Sequence, residues 1–407
     1  MAQKYKQTQI GKIPEEWRVV KLTDAADYIN GYGFSPKEWK SKGLPIIRIQ
    51  NLNDSKARFN YFDGKVEDKY LVENDDLLFP WSASIGVYIW DREKAVLNQH
   101  IFKVIPKKGV DKQYLYYALF LAIEHLKKRV HGSTMKHFKR GELDITFIPL
   151  PPIPEQKAIA KILSTADEAI QKSGEIIAKT VRLKKGLMRE LLTKGIRHEE
   201  FKDTEIGRIP EKWGVVKLED VSLDFVSGGT PSTANPDYWN GDIDWMTSAH
   251  INGRTITSGQ RYIPKEGLKN SATKLVPKNN LLVATRVGVG KAAINEIDIA
   301  ISQDLTGIII DRNKFIPDFL YWHILNKERV LKSLAQGSTI KGILRGDLGK
   351  LKIPLPPLPE QQKIALILST VERKLEIDKA RKQKYERIKK GLMNDLLTGN
   401  KKVKIGG

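Results

Sequence analysis

Two glycine-containing fragments have residues that could bind phosphate. VGVGKAA around Lys291 resembles a Walker A loop, but Thr285 stands where that loop needs glycine and Ala292 where it needs a hydroxyl for phosphate and magnesium. GYGFSP at 31–36 ends in Pro36, where a dinucleotide-binding fingerprint needs glycine. Neither fragment therefore predicts a nucleotide site.

Residues for acid–base or metal chemistry are also not arranged as a catalytic site requires. Glu155, Gln156 and Lys157 resemble the end of a nuclease carboxylate motif, but an otherwise matching stretch reads Glu360, Gln361, Gln362 and has no lysine. The seven histidines show no i, i+4 pairing within a carboxylate motif, and there are no cysteines to form thiolate sites or disulfides. The sequence predicts a non-catalytic chain with no metal and no cofactor of its own.

The remaining chemical signal is charge. The formal net charge is +21 and the pI is about 9.7, which suits the neutralisation of phosphates and places nucleic acid first among the possible partners. A generally basic protein with no polyanionic partner is the alternative that charge alone leaves open.

Two short basic segments are candidates for phosphate contacts. HGSTMKHFKRGEL begins at His131 and QGSTIKGILRGDL begins at Gln336, and in both a Gly-Ser-Thr turn precedes lysine and arginine. A solvated turn that caps a helix is the alternative. The candidate positioning contacts are Ser133, Thr134, Lys136, Lys139, Arg140, Ser338, Thr339, Lys341 and Arg345.

Side chains able to read base edges are expected in other parts of the chain. Two stretches, LPIIRIQNLND at 44–54 and IDWMTSAHING at 243–253, read as short strands followed by polar loops. An ordinary surface or core-polar role remains open for each single residue. The candidates are Arg48, Gln50, Asn51 and Asn53 in the first half, and Thr247, Ser248, His250 and Arg286 in the second.

The elements that position these residues occur twice. Residues 8–25 match residues 204–221 at 12 of 18 positions, and residues 148–165 match residues 353–370 at 14 of 18. Residues 26–130 and 222–335, between the matched ends, share little. Two different readers on a doubled scaffold are predicted, and an old duplication that diverged without consequence is the alternative.

Two long helices follow the proline-rich ends of the two copies. Residues 155–193 and 360–398 contain no proline after the first turn and place apolar residues at heptad spacing, including Leu163, Ile170 and Ile177 in one copy and Leu368 and Leu375 in the other. We expect them to pair antiparallel as a coiled coil of roughly 58 Å, at 1.5 Å per residue. Separate packing on their own modules is the alternative.

The predicted fold class is α+β, with two pseudo-repeated globular modules separated by the two antiparallel helices. The predicted boundaries are 1–152 and 199–357 for the modules, and 153–198 and 358–400 for the helices. The helices hold only a small excess of basic residues, so most of the positive charge belongs to the modules. The opening MAQKYKQTQIGK has no apolar signal core and no apolar stretch reaches membrane-spanning length, so a cytoplasmic protein is expected.

Three doubled motifs carry a resemblance to a known family: the IGxIPExW opening, the IPLPPxPEQ segment and the GLMxxLLT helix end. Together they resemble the specificity subunit of Type I restriction-modification enzymes over essentially the whole chain. The resemblance implies two target-recognition domains that each read one half of a split, asymmetric site in double-stranded DNA, with helices that fix the spacing and dock partners. It also implies two methyltransferase subunits that bind S-adenosylmethionine and flip the target adenine, and restriction subunits that use ATP and magnesium.

A free-standing bipartite DNA-binding regulator without enzyme partners is the second hypothesis. It shares the predicted architecture and differs only in having no methyltransferase partner. An enzyme with a site of an unrecognised kind is the third hypothesis.

Overall fold

The computed structural model describes residues 4–82, 84–129, 140–335 and 342–403. The first half contains helices α1 Leu22–Ala25, α2 Ile49–Asn53, α3 Lys112–Arg129, α4 Arg140–Ile145 and α5 Ile153–Lys194. Its strands are β1 Tyr5–Thr8, β2 Gly11–Pro14, β3 Arg18–Lys21, β4 Ala26–Asn30, β5 Leu44–Ile47, β6 Asn60–Phe62, β7 Leu71–Val72, β8 Leu77–Pro80, β9 Tyr88–Ile89, β10 Ala95–Leu97, β11 Ile101–Pro106 and β12 Phe147–Leu150.

The second half repeats this order with small differences. Its helices are α6 Lys265–Lys269, α7 Pro317–Asn326, α8 Glu328–Leu334, α9 Arg345–Gly349 and α10 Leu358–Leu397. Its strands are β13 Phe201–Thr204, β14 Gly207–Pro210, β15 Gly214–Lys217, β16 Ser222–Ser227, β17 Ile243–Met246, β18 Thr255–Ile256, β19 Arg261–Ile263, β20 Lys274–Val276, β21 Leu281–Ala284, β22 Ala292–Asn295, β23 Ile299–Ile301, β24 Leu305–Ile310 and β25 Lys352–Leu355.

The chain forms two compact units, each of which takes part of both long helices. The first unit comprises residues 1–174 and 380–407, and the second comprises residues 175–379. The α+β class predicted from the sequence is confirmed, since each unit combines antiparallel and mixed sheets with helices.

The two units share one sheet topology although their interiors have little sequence in common. In the first unit, one sheet has the order β6-β5-β10-β7 and another the order β4-β11-β8-β9. The second unit has β19-β17-β23-β20 and β16-β24-β21-β22, with β18 added at the edge of the latter. The inner strands β5 and β10 pair in parallel, as do β17 and β23. The sequence differences between the two interiors therefore change the side chains but keep the order of the strands.

Each proline-rich segment begins in a short strand and leads into a long helix. Pro149 lies in β12, which pairs only with β3, so no sheet hydrogen bond is required from its missing N–H. Gln156, in the first turn of α5, accepts a hydrogen bond of 2.8 Å from Asp111 N just before α3, and its Nε2 donates to Pro151 O at 2.8 Å. Gln361 makes the equivalent bonds to Ile316 N and Pro356 O, at 3.0 and 2.9 Å. The glutamine of each PEQ motif thus attaches the start of a long helix to the residue before another helix and to the proline-rich segment.

The long helices contact each other in both units and run antiparallel in the second. In the first unit Lys389 of α10 forms an ion pair of 2.5 Å with Asp167 of α5. In the second unit Lys184 of α5 forms an ion pair with Glu372 of α10, and Ile196 N, just after α5, donates to Glu360 Oε1 at 2.9 Å. As residue numbers increase along α5, the numbers of the contacting residues in α10 decrease, as expected for antiparallel helices. The antiparallel pairing is as predicted, and the coiled coil stays a prediction.

Both helices also contribute to the globular cores. Leu163 of α5 and Leu396 of α10 belong to the same buried cluster as Trp17 in the first unit. Leu192 and Leu368 belong to the cluster around Trp213 in the second unit. Pairing between helices and packing on a module, which the sequence analysis treated as alternatives, thus occur together. The four segment boundaries predicted from the sequence remain a functional hypothesis.

Candidate nucleic-acid interface

In the first unit, four connections between strands meet at one edge of the sheets. Asn98 N, after β10, donates to Ile47 O at the end of β5 at 3.1 Å. Tyr32 N, after β4, donates to Leu97 O at 2.7 Å, and Trp81 N, after β8, donates to His100 O at 3.2 Å. We call this surface the first loop edge, and define it by residues 31–34, 48–53, 81–82, 84–87 and 98–100.

The second unit builds the same edge from the equivalent strands. Ser302 N, after β23, donates to Met246 O at the end of β17 at 2.9 Å, and Gly229 N donates to Ile301 O at 2.9 Å. Thr285 N, after β21, donates to Asp304 O, also at 2.9 Å. This second loop edge comprises residues 228–231, 247–250, 285–291 and 302–304. The edges are equivalent because parallel inner strands bring their carboxyl ends together.

The base-reading candidates of the first half all follow β5, at the first loop edge. The Arg48 guanidinium donates to Asn60 Oδ1 at 3.0 Å and stacks 4.8 Å above the Trp39 ring, which fixes its direction. Gln50 and Asn53 are exposed. Asn53 Oδ1 accepts a hydrogen bond of 2.7 Å from the Tyr88 hydroxyl, and burial raises the pKa of Tyr88, so that hydroxyl keeps its proton.

Asn51 differs from its neighbours because its side chain faces inward. It is 1% exposed, its Oδ1 accepts from Arg48 N at 3.1 Å, and its Nδ2 donates to Ala57 O and Arg58 O at 3.3 and 3.2 Å. These bonds hold the loop after β5 in shape. The structure therefore gives Asn51 a supporting role in this loop.

The candidates of the second half lie on the equivalent edge. Thr247 Oγ1 donates to Gln260 Oε1 at 2.9 Å, and His250 Nε2 lies 3.1 Å from Ser258 O. Arg286 is exposed on the loop after β21. Ser248 is only 1% exposed, so its hydroxyl is turned away from any external partner. Thr247 and His250 thus follow the strand equivalent to the one that Arg48, Gln50 and Asn53 follow, whereas Arg286 follows another strand of the second unit.

Most of the predicted phosphate contacts lie outside the described residues. Arg140 begins α4, and its side chain lies outside the described part of the chain. Arg345 begins α9, and its Nη2 donates to Asp224 Oδ1 at 2.7 Å. Ile343 N donates to Thr285 O at 2.8 Å, which attaches the end of the second basic segment to the second loop edge. The residues outside the described parts are Ser133, Thr134, Lys136, Lys139, Ser338, Thr339 and Lys341.

Sequence reasoning missed three residue positions in the middle of each edge, which are exposed or partly exposed except for the buried Ser302. These are Asn98, Gln99 and His100 in the first unit, and Ser302, Gln303 and Asp304 in the second, on the connection that leaves the inner parallel strand. His100 also lies beside the Trp81 ring, with centroids 5.4 Å apart. The sequence does contain a signal for one of these positions. Gln99 and Gln303 are 204 residues apart, a separation between those of the doubled motifs that precede and follow them.

The two edges offer amide, hydroxyl, imidazole and guanidinium groups, which can donate to and accept from base edges and phosphates. Among the described residues there is no group of three or more acidic, histidine or cysteine side chains that could hold a metal ion. Within the same residues, no helix combines the length and apolarity needed to cross a membrane. The geometry suits recognition of a polar, anionic partner.

Comparison with known proteins agrees with this geometry. The family model for the Type I restriction modification DNA specificity domain matches residues 14–179 and 210–387. The chain therefore belongs to this family, with one copy of the domain in each half.

Individual relatives match over nearly the whole chain. The Type I restriction enzyme MjaVIII specificity subunit of Methanocaldococcus jannaschii is 30% identical, over 97% of this chain and 95% of its own length. The solved Type I restriction-modification S subunit from M. genitalium is similar in fold, with a TM-score of 0.61 at 15% identity, over 98% of this chain and 99% of that one. A chain from a structure of the type I R-M system has a TM-score of 0.58 at 17% identity, over 96% of this chain and 99% of that one.

Proposed function

We propose that this chain is the DNA specificity subunit of a Type I restriction-modification complex, and that each unit reads one half of a bipartite, asymmetric site in double-stranded DNA. The observation that carries this proposal is the pair of loop edges, which have one backbone arrangement and different side chains. Arg48, Gln50 and Asn53 on the first edge correspond to Thr247 and His250 on the second. Because different side chains lie at equivalent positions of the two loop edges, the two units select different half-site sequences.

The proposed division of labour follows the predicted segments. Residues 1–152 and 199–357 are the target-recognition domains, and residues 153–198 and 358–400 set the spacing between half-sites and dock two methyltransferase subunits. Family membership supports this division, as does the name of the M. jannaschii relative, which is a specificity subunit. Restriction subunits join in the full complex.

The proposed contacts fall into two groups. Gln50, Asn53, Thr247, His250 and Arg286 face base edges, and the two basic segments, including Arg140 and Arg345, face phosphates. Arg48 is held by Trp39 and Asn60 and can serve either group. The phosphate contacts set register and affinity, whereas the base contacts set sequence preference.

The chemistry of the complex belongs to its partners under this proposal. The chain chooses the site and does not methylate or cut DNA, while S-adenosylmethionine, ATP and magnesium bind to partner subunits. The complex acts in the cytoplasm, where the chromosomal DNA of a prokaryotic cell is found.

The test is selection of duplexes from a random library by the full-length chain, both alone and after co-expression and attempted co-purification with methyltransferase subunits. The expected result is a motif of two unlike half-sites separated by a constant gap. Selection of one contiguous motif, or of no motif, would overturn the proposal. A chain that selects a split motif but does not bind a methyltransferase subunit would instead favour the free-standing regulator.

A further inference from the structure

One exposed residue is identical at the centre of both loop edges. Gln99 lies on the connection from β10 to β11, and Gln303 on the connection from β23 to β24. Each follows its inner parallel strand by two positions and precedes the next strand by two. The neighbouring residues differ, with His100 beside one glutamine and Asp304 beside the other. Two edges that otherwise diverged therefore retain one carboxamide in the same place.

A glycine-containing segment passes close to each glutamine. An ideal Cβ on Gly31 would lie 2.2 Å from Asn98 O, and one on Gly228 would lie 2.1 Å from Ile301 O, so only glycine allows this approach. This explains the GYG and GGT sequences, which follow β4 and β16. The segments bring Gly33 and Thr230 beside the two glutamines.

The neighbours constrain the two carboxamides in different ways, by a hydrogen bond at Gln303 and by the space beside Gly33 at Gln99. Thr230 Oγ1 donates a hydrogen bond of 2.6 Å to Gln303 Oε1. In the first unit, Gln99 N donates to Tyr32 O at 3.0 Å, and Oε1 lies so close to Gly33 that an ideal Cβ there would be 2.7 Å away. Thr230 therefore orients the carboxamide of Gln303 through its hydroxyl, and Gly33 leaves the space that the carboxamide of Gln99 occupies.

A carboxamide held in this way matches one base in particular. The hydroxyl of Thr230 uses one lone pair of Gln303 Oε1, so the other lone pair and the amide N–H groups can face a base. Adenine presents an N6 donor beside an N7 acceptor in the major groove, which is the complement of an amide. We propose that Gln99 and Gln303 each read one adenine, one in each half-site, with Gly33 and Thr230 as positioning residues. This inference rests on the proposed function.

The first experiment compares base preferences of variants in the random-duplex selection described above. Gln99→Ala is expected to lose the preference for a single adenine in one half-site, by about 5- to 150-fold, while the other half-site is unchanged. Gln303→Ala is expected to do the same in the opposite half-site. Unchanged preference in both variants, or uniform weakening at every position, would overturn the inference.

A change of specificity separates reading from mere support of the loop. Glutamate accepts but does not donate, and it suits the N4 donor of cytosine. Gln99→Glu and Gln303→Glu are therefore expected to move the preference at the affected position from adenine towards cytosine. A loss of all binding, without a new preference in either variant, would contradict base reading at these positions.

Variants of the positioning residues keep the test valid if a glutamine variant fails to fold. Thr230→Val removes the hydroxyl that orients Gln303 and is expected to weaken the same adenine preference, whereas Thr230→Ser keeps the hydroxyl and is the matched control. Gly33→Ala displaces only the end of the flexible Gln99 side chain and should weaken the other half-site. Equal behaviour of Thr230→Val and Thr230→Ser would count against the inference. If the wild-type chain selects no split motif, the proposed function fails. If the wild type selects a split motif and none of these variants changes its base preference, only the present inference is refuted.

Discussion

The indole Nε1 of Trp17 donates a hydrogen bond of 2.9 Å to Glu155 Oε2, and both side chains are buried. This bond joins two of the doubled motifs, since Trp17 belongs to the IPExW opening and Glu155 to the first turn of α5. Trp213 makes the equivalent bond of 2.9 Å to Glu360 in the second unit. The doubled motifs thus attach each long helix to its module.

The two carboxyl groups have different surroundings. Glu360 Oε1 also accepts from Ile196 N at 2.9 Å and lies 2.7 Å from His198 Nε2. Glu155 Oε1 is buried with no hydrogen-bond partner in the described part of the chain. Burial, and secondarily the charge of Glu16, raises the pKa of Glu155, against the opposing effect of the Trp17 bond.

Replacement of Glu155 by glutamine is expected to preserve or increase stability at pH 7. A raised pKa in the folded state means that folding favours the protonated form, so stability falls as the pH rises from the usual value of about 4.5 through the folded pKa. Glutamine stays neutral and still accepts from Trp17. Thermal unfolding between pH 4 and 8 should show a smaller decline for Glu155→Gln than for the wild type. Glu360→Gln is the matched control and should be less stable than the wild type at pH 7. An unchanged pH slope with a lower melting temperature for Glu155→Gln would contradict this interpretation.

His323, in the second unit, should make stability depend on pH with the sign opposite to that of Glu155. It is 2% exposed, and burial, with a smaller effect from Lys327, lowers its pKa to about 3. The unfolded chain binds a proton at this residue between about pH 3 and 6.5, whereas the folded chain does not. Stability should therefore rise with pH in this window by about 1.4 kcal/mol per unit from this group.

The check on His323 is a comparison of the wild type with His323→Leu, which removes the titrating ring at similar volume. Because carboxyl groups also titrate below pH 5, the informative quantity is the difference in melting temperature between the two proteins. The wild type should lose stability relative to the variant as the pH falls from 6.5 to 4.5. A difference that is constant with pH would show that His323 is protonated in the fold as well.

Asn51 and Gln50 are adjacent but should behave differently. Asn51→Ala removes three hydrogen bonds that hold the loop after β5, so the melting temperature should fall, by an amount corresponding to about 1–3 kcal/mol. Gln50→Ala should change the free energy of unfolding by no more than about 0.5 kcal/mol, and should change base preference in one half-site. Thermal unfolding combined with duplex selection measures both effects. The reverse pattern would contradict the inward orientation of Asn51 and the exposure of Gln50.

Arg345 should contribute a phosphate contact. Arg345→Ala is expected to weaken binding across DNA sequences and to reduce the slope of log affinity against log salt by about 0.9, the value for one phosphate contact. Asp224→Asn removes the carboxylate that pairs with Arg345 and should strengthen binding, which makes it a matched control. Titration of one duplex at several salt concentrations gives both slopes. A slope that Arg345→Ala leaves unchanged removes this residue from the interface.

Features that repeat along the chain could be predicted from the sequence. The doubled motifs around Trp17 and Trp213 indicated two similar units, and the apolar spacing through Leu163 and Leu368 indicated the long helices. These signals are strong because a buried tryptophan and a helix of about forty residues both constrain residue type over long stretches.

The common topology of the interiors could not be predicted in the same way. Strands such as β7 and β9 have two residues each, and burial requires only apolar character there, so sequence identity between the units is lost while strand order persists. Asn51 and Ser248 have side chains able to contact base edges, which is what the sequence can show, yet tertiary packing buries both. Gln99 was missed because its position depends on the pairing of β10 with β5, which no local pattern shows.

The most direct test of the central claim is sequencing of modified bases in the DNA of a host that carries this chain and its partner subunits, compared with the same host after deletion of the chain. The account predicts methylated adenines in a single motif with two unlike half-sites and a constant gap, and the loss of this methylation on deletion. Methylation that persists without the chain, or that falls in one contiguous motif, would contradict it.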